Sequence, residues 1–154
     1  MVIIMKKKLD LYLAHNLDRR HEIRIIELEL ERKYNLNLCN PFYDTKRTDI
    51  KKIDSGTQTR WTLDPEACKA IVKNDLDNID NRDGLFAIIH EPSLGTAFEI
   101  AHAWETGKMV IIISENYIDH PWVRVYATHR FRTLDEFMDW MDKNGYKRKK
   151  EISK

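Results

Sequence analysis

The sequence predicts an α/β fold in which a doubly wound, mostly parallel five-stranded sheet carries helices on both faces, the flavodoxin-like or Rossmann-like arrangement. Short apolar runs alternate with longer amphipathic segments along the chain, an order that is typical of parallel strands joined by helical crossovers. Two of these runs, residues 84–90 and 109–113, are apolar at nearly every position, as expected of central strands that are covered on both faces. The chain has 154 residues, the usual length of one domain.

The first part of the chain predicts two strands joined by one helix. Leu9–Ala14 is a strand-like apolar run that ends at polar residues. Residues 18–34 place apolar side chains three and four positions apart, which predicts an amphipathic helix. Leu36–Cys39 is the second predicted strand, and Asn40-Pro41 ends it.

The middle of the chain predicts a long connection, a helix and the third strand. Residues 44–63 are polar and show no period, and a connection of this length predicts a functional loop or lid. Asp64 followed by Pro65 predicts a helix start, because a capping residue precedes proline at the first helical position. This helix is expected to reach Asn81, before the strand at residues 84–90.

The last third predicts two strands and two helices. A helix that follows the third strand is expected to end at Glu105, and Met109–Ile113 is the fourth strand. A fifth strand is predicted within residues 123–131. Leu134–Lys143 is predicted as the last helix, and Asn144-Gly145 is its stop signal.

The bulk properties restrict the kind of protein. Residues 1–146 are expected to form a single domain, and residues 147–154 a solvated basic tail. The net charge is +1, from 26 basic and 25 acidic residues, so we expect no nucleic-acid partner.

No apolar run approaches a membrane span, and the short N-terminal apolar run precedes its positive charges, the wrong order for a signal peptide. Cys39 and Cys68 fit a reducing compartment, so a cytoplasmic protein is expected.

The motifs of the common cofactor-binding and nucleophile classes are missing from the sequence. No G-x-G-x-x-G follows the first strand, and neither a G-x-x-x-x-G-K-[ST] phosphate loop nor a G-x-S-x-G elbow occurs. The six histidines show no paired metal-ligand spacing. We therefore expect neither a metal nor an organic cofactor.

Two carboxylates carry the predicted chemistry. Residues 92–100 form a turn that opens a helix, with Glu99 in the first helical turn, where the macrodipole would favour the ionised carboxylate. Asp75 lies past the middle of the preceding helix, away from any positive dipole end, so its pKa is expected to exceed that of Glu99. One carboxylate suited to attack an electrophilic carbon and one suited to donate a proton are the pair that cleaves a glycosidic bond with retention.

The candidate binding residues follow the ends of the first three strands. Because ligands of doubly wound sheets bind beyond the carboxyl ends of the strands, residues 15–20, 40–44 and 90–99 are expected to meet there. Arg19 and Arg20 could supply positive charge, although solvated helix residues are the simpler interpretation. Phe42 and Tyr43 could stack on a flat ligand or fill the core.

Several short segments occur in an order that resembles the nucleoside 2-deoxyribosyltransferase family, over residues 9–140. The segments are Tyr12-Leu13-Ala14, Asn40-Pro41-Phe42-Tyr43-Asp44, Asn74-Asp75-Leu76, Asp83-Gly84-Leu85, Gly95-Thr96-Ala97-Phe98-Glu99-Ile100 and Gly107-Lys108. The resemblance implies that Glu99 is the nucleophile that attacks the anomeric carbon and holds the sugar as an ester. It implies that Asp75 positions or protonates the leaving base, and that Tyr12 shapes the sugar pocket. The resemblance also implies that the acceptor of the sugar decides the outcome: a second base gives transfer, and water gives hydrolysis.

One departure from the family pattern bears on the substrate. Family members that act on free nucleosides often carry an acid six residues before the nucleophile, and Ser93 stands at that position here. A serine hydroxyl can donate to a phosphate that an aspartate would repel, so the sequence resembles the branch that hydrolyses nucleoside 5′-monophosphates. Ser93 could equally be a simple helix cap. The residues expected to contact substrate are Tyr12, His15, Arg19, Asn40, Phe42, Tyr43, Asp44, Ser93 and Gly95.

Two other functions stay open from the sequence. One is base exchange between free deoxynucleosides, and the other is a non-catalytic module that senses a nucleotide in the same crevice. The resemblance also implies a homodimer or larger homo-oligomer, because small sites of this family are often closed by a neighbouring chain. Trp122 is a candidate for that subunit contact.

Overall fold

The computed structural model describes residues 8–44, 47, 49–56 and 62–148, without the side chains of residues 52 and 53. Its centre is an all-parallel five-stranded sheet in the order β2-β1-β3-β4-β5, which confirms the predicted doubly wound fold. The strands are β1 (Leu9–Ala14), β2 (Leu36–Cys39), β3 (Gly84–Ile88), β4 (Met109–Ile113) and β5 (His129–Phe131). The α-helices are α1 (Arg20–Lys33), α2 (Asp49–Asp54), α3 (Pro65–Asp80), α4 (Leu94–Glu105), α5 (Pro121–Tyr126) and α6 (Leu134–Lys143). Single 3-10 turns cover Leu17–Arg19 and Pro41–Tyr43.

Helices cover both faces of the sheet because successive strand residues point to opposite sides. In β1, Leu11 and Leu13 pack with the apolar sides of α1 and α6. Tyr12 and Ala14 point the other way and pack with α3 and α4. The strands β3 and β4 divide their apolar residues in the same manner, so each face has its own core cluster. Tyr12 therefore lies on the face that α3 and α4 cover.

Two segments depart from the sequence prediction. Residues 44–63 were expected to be an aperiodic loop, yet they contain α2. Residues 123–131 were expected to hold a strand, yet α5 occupies their first part and β5 covers only His129–Phe131. The start of α5 is stabilised by Pro121 and by the His120 side chain, which accepts a hydrogen bond from the Trp122 amide. Both helices have only six residues, too few for an apolar period to appear in the sequence.

The remaining boundaries differ little from the prediction. The helix expected over residues 18–34 begins as the 3-10 turn and becomes α1 at Arg20, because the Asn16 side chain caps the turn by accepting from the Asp18 amide. Gly84 lies so close to β4 that an added Cβ would stand 2.3 Å from the Met109 carbonyl oxygen. At the C-terminus, Arg148 donates to the carbonyl oxygens of Glu31 and Tyr34, while residues 149–154 of the predicted tail lie outside the described residues.

Candidate active site

A cleft of about 720 Å³ opens at the carboxyl ends of β1 and β3, between α2, α3 and α4. This volume is in the range of small-molecule binding sites. Its lining includes the polar or aromatic side chains of His15, Phe42, Arg47, Asp49, Asp75, Ser93, Thr96, Phe98 and Glu99. The location agrees with the general rule for ligand sites in open parallel sheets.

Glu99 reaches the cleft from the second turn of α4, since the helix begins at Leu94. Its Oε2 atom is buried and has no hydrogen-bond partner among the described residues. Burial raises the pKa of Glu99 to about 8. The predictions of a first-turn position and of an ionised carboxylate favoured by the macrodipole are therefore wrong. Loss of hydration outweighs the macrodipole, whose effect falls off within the first turn.

Tyr12 extends from β1 toward the same carboxylate. Its hydroxyl is buried and has no hydrogen-bond partner within the described part of the chain. The Tyr12 hydroxyl lowers the pKa of Glu99, in opposition to burial. Burial first, and then the charges of Glu99 and Asp75, raise the pKa of Tyr12 far above its ordinary value, so the phenol stays protonated. A neutral hydroxyl beside a buried carboxylate can donate to it when it ionises.

Asp75 projects from α3 into the cleft and contacts a buried arginine. The Arg47 Nη1 atom donates to Asp75 Oδ1 over 3.2 Å. Burial raises the pKa of Asp75, and the Arg47 charge opposes that rise. The expectation of two carboxylates tuned in opposite directions is therefore wrong, because burial raises the pKa of both.

Arg47 and Asp49 are the residues that the sequence did not reveal. Arg47 donates from Nε and Nη2 to the two carboxylate oxygens of Asp49, over 2.7 and 2.8 Å. Both side chains are buried at the entrance to α2. They belong to the segment without a period, and no motif marks them. One general rule could have pointed to the pair: a buried arginine needs a carboxylate partner, and Asp49 lies two residues after Arg47.

His15 and Phe42 form the wall beside the end of β1. The His15 ring packs edge-on against Phe42 with 4.9 Å between centroids, and its Nε2 lies 3.2 Å from Asn40 Oδ1. Asn40 Oδ1 also accepts from the Phe42 amide, which fixes the turn after β2. Burial lowers the pKa of His15. The wall is therefore aromatic and uncharged, as a surface for a flat ring system needs to be.

Ser93 and Gly95 line the opposite end of the cleft, at the start of α4. Ser93 is the N-cap residue, and its side chain makes no capping hydrogen bond. The nearest atom to a Cβ placed on Gly95 would be Glu99 Oε1, 3.9 Å away, so the first turn of the helix lies beside the carboxylate. Thr96 Oγ1 is buried without a partner among the described residues. Unpaired donors at a helix start form an anion-binding environment.

Five of the predicted contact residues do not line the cleft: Arg19, Tyr43, Asp44, Tyr12 and Asn40. Arg19 pairs with Glu91 and, over 3.2 Å, with Glu22. Tyr43 turns toward α1, where its hydroxyl lies 3.1 Å from His21 Nδ1. Asp44 follows the second 3-10 turn, and its charge raises the pKa of Asp75 without the residue entering the cleft lining. Tyr12 and Asn40 lie behind the lining, in contact with Glu99 and His15 as described above.

A second, smaller cavity of about 370 Å³ lies on the other side of α4 and has almost entirely apolar walls. It shares Ser93, Thr96 and Phe98 with the cleft. Around it, Phe98 and Trp122 are 71% and 67% exposed. Exposed aromatic side chains grouped around an apolar cavity mark a surface that binds another molecule.

No group of three potential ligands arranged to hold a metal ion occurs among the described residues. Within the same residues, no helix has the length and apolar character to cross a membrane.

The fold resembles that of a solved enzyme. The 2-deoxyribosyltransferase of Bacillus psychrosaccharolyticus superposes with a TM-score of 0.63 over 90% of this chain and 97% of its own, at 19% sequence identity. CMP N-glycosidase BcmB of Clostridium botulinum gives a TM-score of 0.47 over 86% and 98% of the two chains, at 18% identity. No protein-family model and no curated protein matches the sequence. The chain therefore shares the fold of a solved 2-deoxyribosyltransferase, as the sequence resemblance led us to expect.

Proposed function

We propose that this protein cleaves the N-glycosidic bond of 2′-deoxynucleosides, with 5′-monophosphates as the preferred substrates, through a covalent deoxyribosyl intermediate on Glu99 that water resolves. The observation that carries this proposal is the convergence of Glu99, Tyr12 and Asp75 at one cleft of nucleotide size. The fold shared with a 2-deoxyribosyltransferase supports the same class of reaction.

The first step is displacement at the anomeric carbon. A Glu99 carboxylate oxygen forms a bond to C1′, and the bond between C1′ and the base nitrogen breaks. The electron pair goes to the base, which accepts a proton from Asp75. We call the part of the cleft beside Asp75, where the nucleobase would lie, the base end of the cleft. Burial favours the protonated form of Asp75, which suits a proton donor.

The second step releases the sugar. Water attacks C1′ as the ester bond to Glu99 breaks, and the water proton passes to the Asp75 carboxylate. The Tyr12 hydroxyl donates toward Glu99 when the carboxylate is free, and so stabilises it as a leaving group. The net reaction consumes one water molecule and yields free base and deoxyribose 5-phosphate.

The high pKa of Glu99 sets the pH dependence of the proposed reaction. Only the ionised carboxylate attacks, and with a pKa of about 8 a minority of the free protein carries it at neutral pH. Ionisation of Glu99 therefore makes kcat/KM rise with pH, and loss of the proton that Asp75 gives to the base makes kcat/KM fall again at higher pH, so a bell-shaped profile is expected.

The 5′-monophosphate preference rests on the start of α4. Ser93, whose hydroxyl makes no capping bond, and the amides of the first turn, which have no acceptor within a helix, supply donors that suit a phosphate. Arg19 does not strengthen this preference as the sequence suggested, because Glu91 and Glu22 already pair with its guanidinium. The substrate phosphate would have to compete with Glu91 for the Arg19 guanidinium.

Base exchange between free deoxynucleosides is the second candidate, because the fold neighbour is a transferase. Product chromatography separates the two. Wild type and Glu99→Ala are incubated with each deoxynucleoside and its 5′-monophosphate, with and without a second free base. Base released from monophosphates alone, and lost in the variant, supports the proposal. A new nucleoside that forms only with added base supports exchange.

The control for this experiment is Glu29→Gln, an exposed glutamate of α1 on the other face of the sheet, which is expected to leave turnover unchanged. Binding of substrates without any turnover, unaffected by a Glu99→Gln substitution, would contradict both reactions. It would support the non-catalytic nucleotide sensor instead.

We also propose that the protein assembles as a homodimer or larger homo-oligomer through the apolar surface around Phe98 and Trp122. Light scattering tests this directly. The wild type is expected to exceed the monomer mass, and Trp122→Ser to shift the equilibrium toward monomer. A monomeric wild type at all concentrations would contradict the assembly while leaving the proposed reaction untouched.

A further inference from the structure

Arg47 is held in one orientation by Asp49. Its side chain is 7% exposed, and the guanidinium forms a two-bond pair with the Asp49 carboxylate over 2.7 and 2.8 Å. A planar guanidinium that is held along one edge by two parallel hydrogen bonds cannot rotate freely. The remaining Nη1 edge is therefore directed at Asp75, with 3.2 Å between Nη1 and Oδ1.

The surroundings of Asp75 are crowded with negative charge. Its side chain is 19% exposed and pairs with the Arg47 guanidinium. The titratable groups that interact with it from the neighbouring elements are Asp44 after β2, Arg47 and Asp49 at α2, Glu99 on α4 and Tyr12 on β1. Among the described residues Arg47 is the cation of this set, so its removal would leave buried carboxylates facing one another.

A lysine at position 47 could not repeat this arrangement. An ammonium group is a single point charge on a flexible stem, whereas the guanidinium reaches the Asp49 and Asp75 carboxylates with separate edges of one plane. The Arg47 guanidinium also lies 5.8 Å from the centre of the Phe42 ring, in the wall expected to face the base. The geometry thus requires a planar, charged group at this position.

We propose that Arg47, fixed by Asp49, is a positioning residue that holds the Asp75 carboxyl group at the base end of the cleft and neutralises it after it has given up its proton. This inference rests on the proposed function, because it assigns Arg47 a role through Asp75. In the reaction, Asp75 loses its proton to the departing base and regains one from water. The Arg47 charge stabilises the intervening carboxylate at a constant position.

A double-mutant cycle tests whether Arg47 acts through Asp75. Arg47→Gln and Asp75→Asn are each expected to lower kcat by about tenfold or more, with little change in KM. The double variant is expected to be no slower than Asp75→Asn alone, because the carboxylate that Arg47 serves is gone. Losses that multiply in the double variant would overturn the proposal, since Arg47 would then act on the substrate itself.

Asp49→Asn and Arg47→Lys keep the test valid if Arg47→Gln fails to fold, which a thermal unfolding scan reveals. Asp49→Asn leaves the arginine but releases one side of it, and it is expected to show a smaller loss in kcat that also disappears in the Asp75→Asn background. Unaltered kcat in both Asp49→Asn and Arg47→Lys would overturn the positioning role.

Titration of Asp75 in the free protein separates this inference from the proposed function. With ¹³C-labelled carboxyl groups, the Asp75 resonance of Arg47→Gln is expected to titrate at higher pH than in wild type, because burial raises the Asp75 pKa and the Arg47 charge that opposes this rise is gone. An unchanged Asp75 titration overturns the inference whether or not the protein turns over nucleotides. A shifted titration together with no turnover of any deoxynucleoside or deoxynucleotide would instead refute the proposed function.

Discussion

Replacing Glu99 with glutamine is expected to stabilise the protein strongly at neutral pH and hardly at all in acid. In the unfolded chain the carboxyl group has its ordinary pKa of 4.5, whereas in the folded protein its pKa is about 8. Between these values the folded protein holds a proton that the unfolded chain has released. Wild-type stability therefore falls as the pH rises from 4.5 to 8, by about 1.4 kcal/mol for each pH unit.

The expected difference follows from this slope. Over the two and a half pH units from 4.5 to 7, the wild type loses about 3 kcal/mol that the amide of Glu99→Gln, which does not ionise, keeps. For a chain of this length, about 3 kcal/mol corresponds to a rise in Tm of about 6–12 °C. At pH 4 the carboxyl group is protonated in both states, so the two proteins are expected to melt together.

The assay is urea or thermal unfolding of wild type and Glu99→Gln at intervals from pH 4 to pH 9. Glu29→Gln is the matched control, since the same chemical change at an exposed site of α1 is expected to have little effect at any pH. A stability gap between wild type and Glu99→Gln that does not grow with pH would refute the reasoning. A variant that is less stable than wild type at pH 7 would refute it more directly.

Three further outcomes are expected. Tyr12→Phe removes the hydroxyl that lowers the pKa of Glu99, so the rise of kcat/KM with pH should move to higher pH, with about tenfold lower activity at pH 7 and a smaller loss at pH 9; an equal loss at both pH values would contradict this. Glu91→Gln leaves Arg19 with Glu22 as its partner and removes one competitor for a phosphate, so kcat/KM for a 5′-monophosphate should increase about two- to fivefold while that for the free nucleoside stays constant; an increase for both would show that Arg19 does not meet the phosphate. Gly84→Ala places a Cβ against the backbone of β4 and should lower the free energy of unfolding by about 3 kcal/mol in urea titration, whereas an unchanged midpoint would mean that the strands can separate.

The parts of the fold that the sequence predicted are those decided by local composition. Leu9–Ala14 and Met109–Ile113 are apolar runs with polar boundaries, and both form strands with the predicted limits. The helix at Leu134–Lys143 has a capping threonine before it and a glycine after it, so both of its ends could be predicted from the sequence. The short helices α2 and α5 were not, because six residues carry too little pattern.

The sequence predicted where the candidate site lies in the fold, but it did not predict the pKa shifts of the carboxyl groups in it. The strand-end rule predicted that residues 15–20, 40–44 and 90–99 meet, and His15, Phe42 and Glu99 from these segments line one cleft. The macrodipole argument for Glu99 used only its own helix, whereas its pKa is set mainly by burial, which depends on residues far away in the chain. Arg19 shows the same limit, because its partner Glu91 lies 72 residues away.

The helix α4 forms a wall common to the cleft and to the apolar cavity, with Ser93, Thr96 and Phe98 bordering both. A rigid helix cannot shift on one side without shifting on the other. Any partner seated in the apolar cavity would thus fix the height and tilt of the helix that carries Glu99. Dilution, which dissociates such a partner, would then change the turnover of each chain as well as the mass of the particle. Specific activity measured across a concentration series therefore reports whether a partner occupies the apolar cavity, because the same helix carries Glu99 in the cleft.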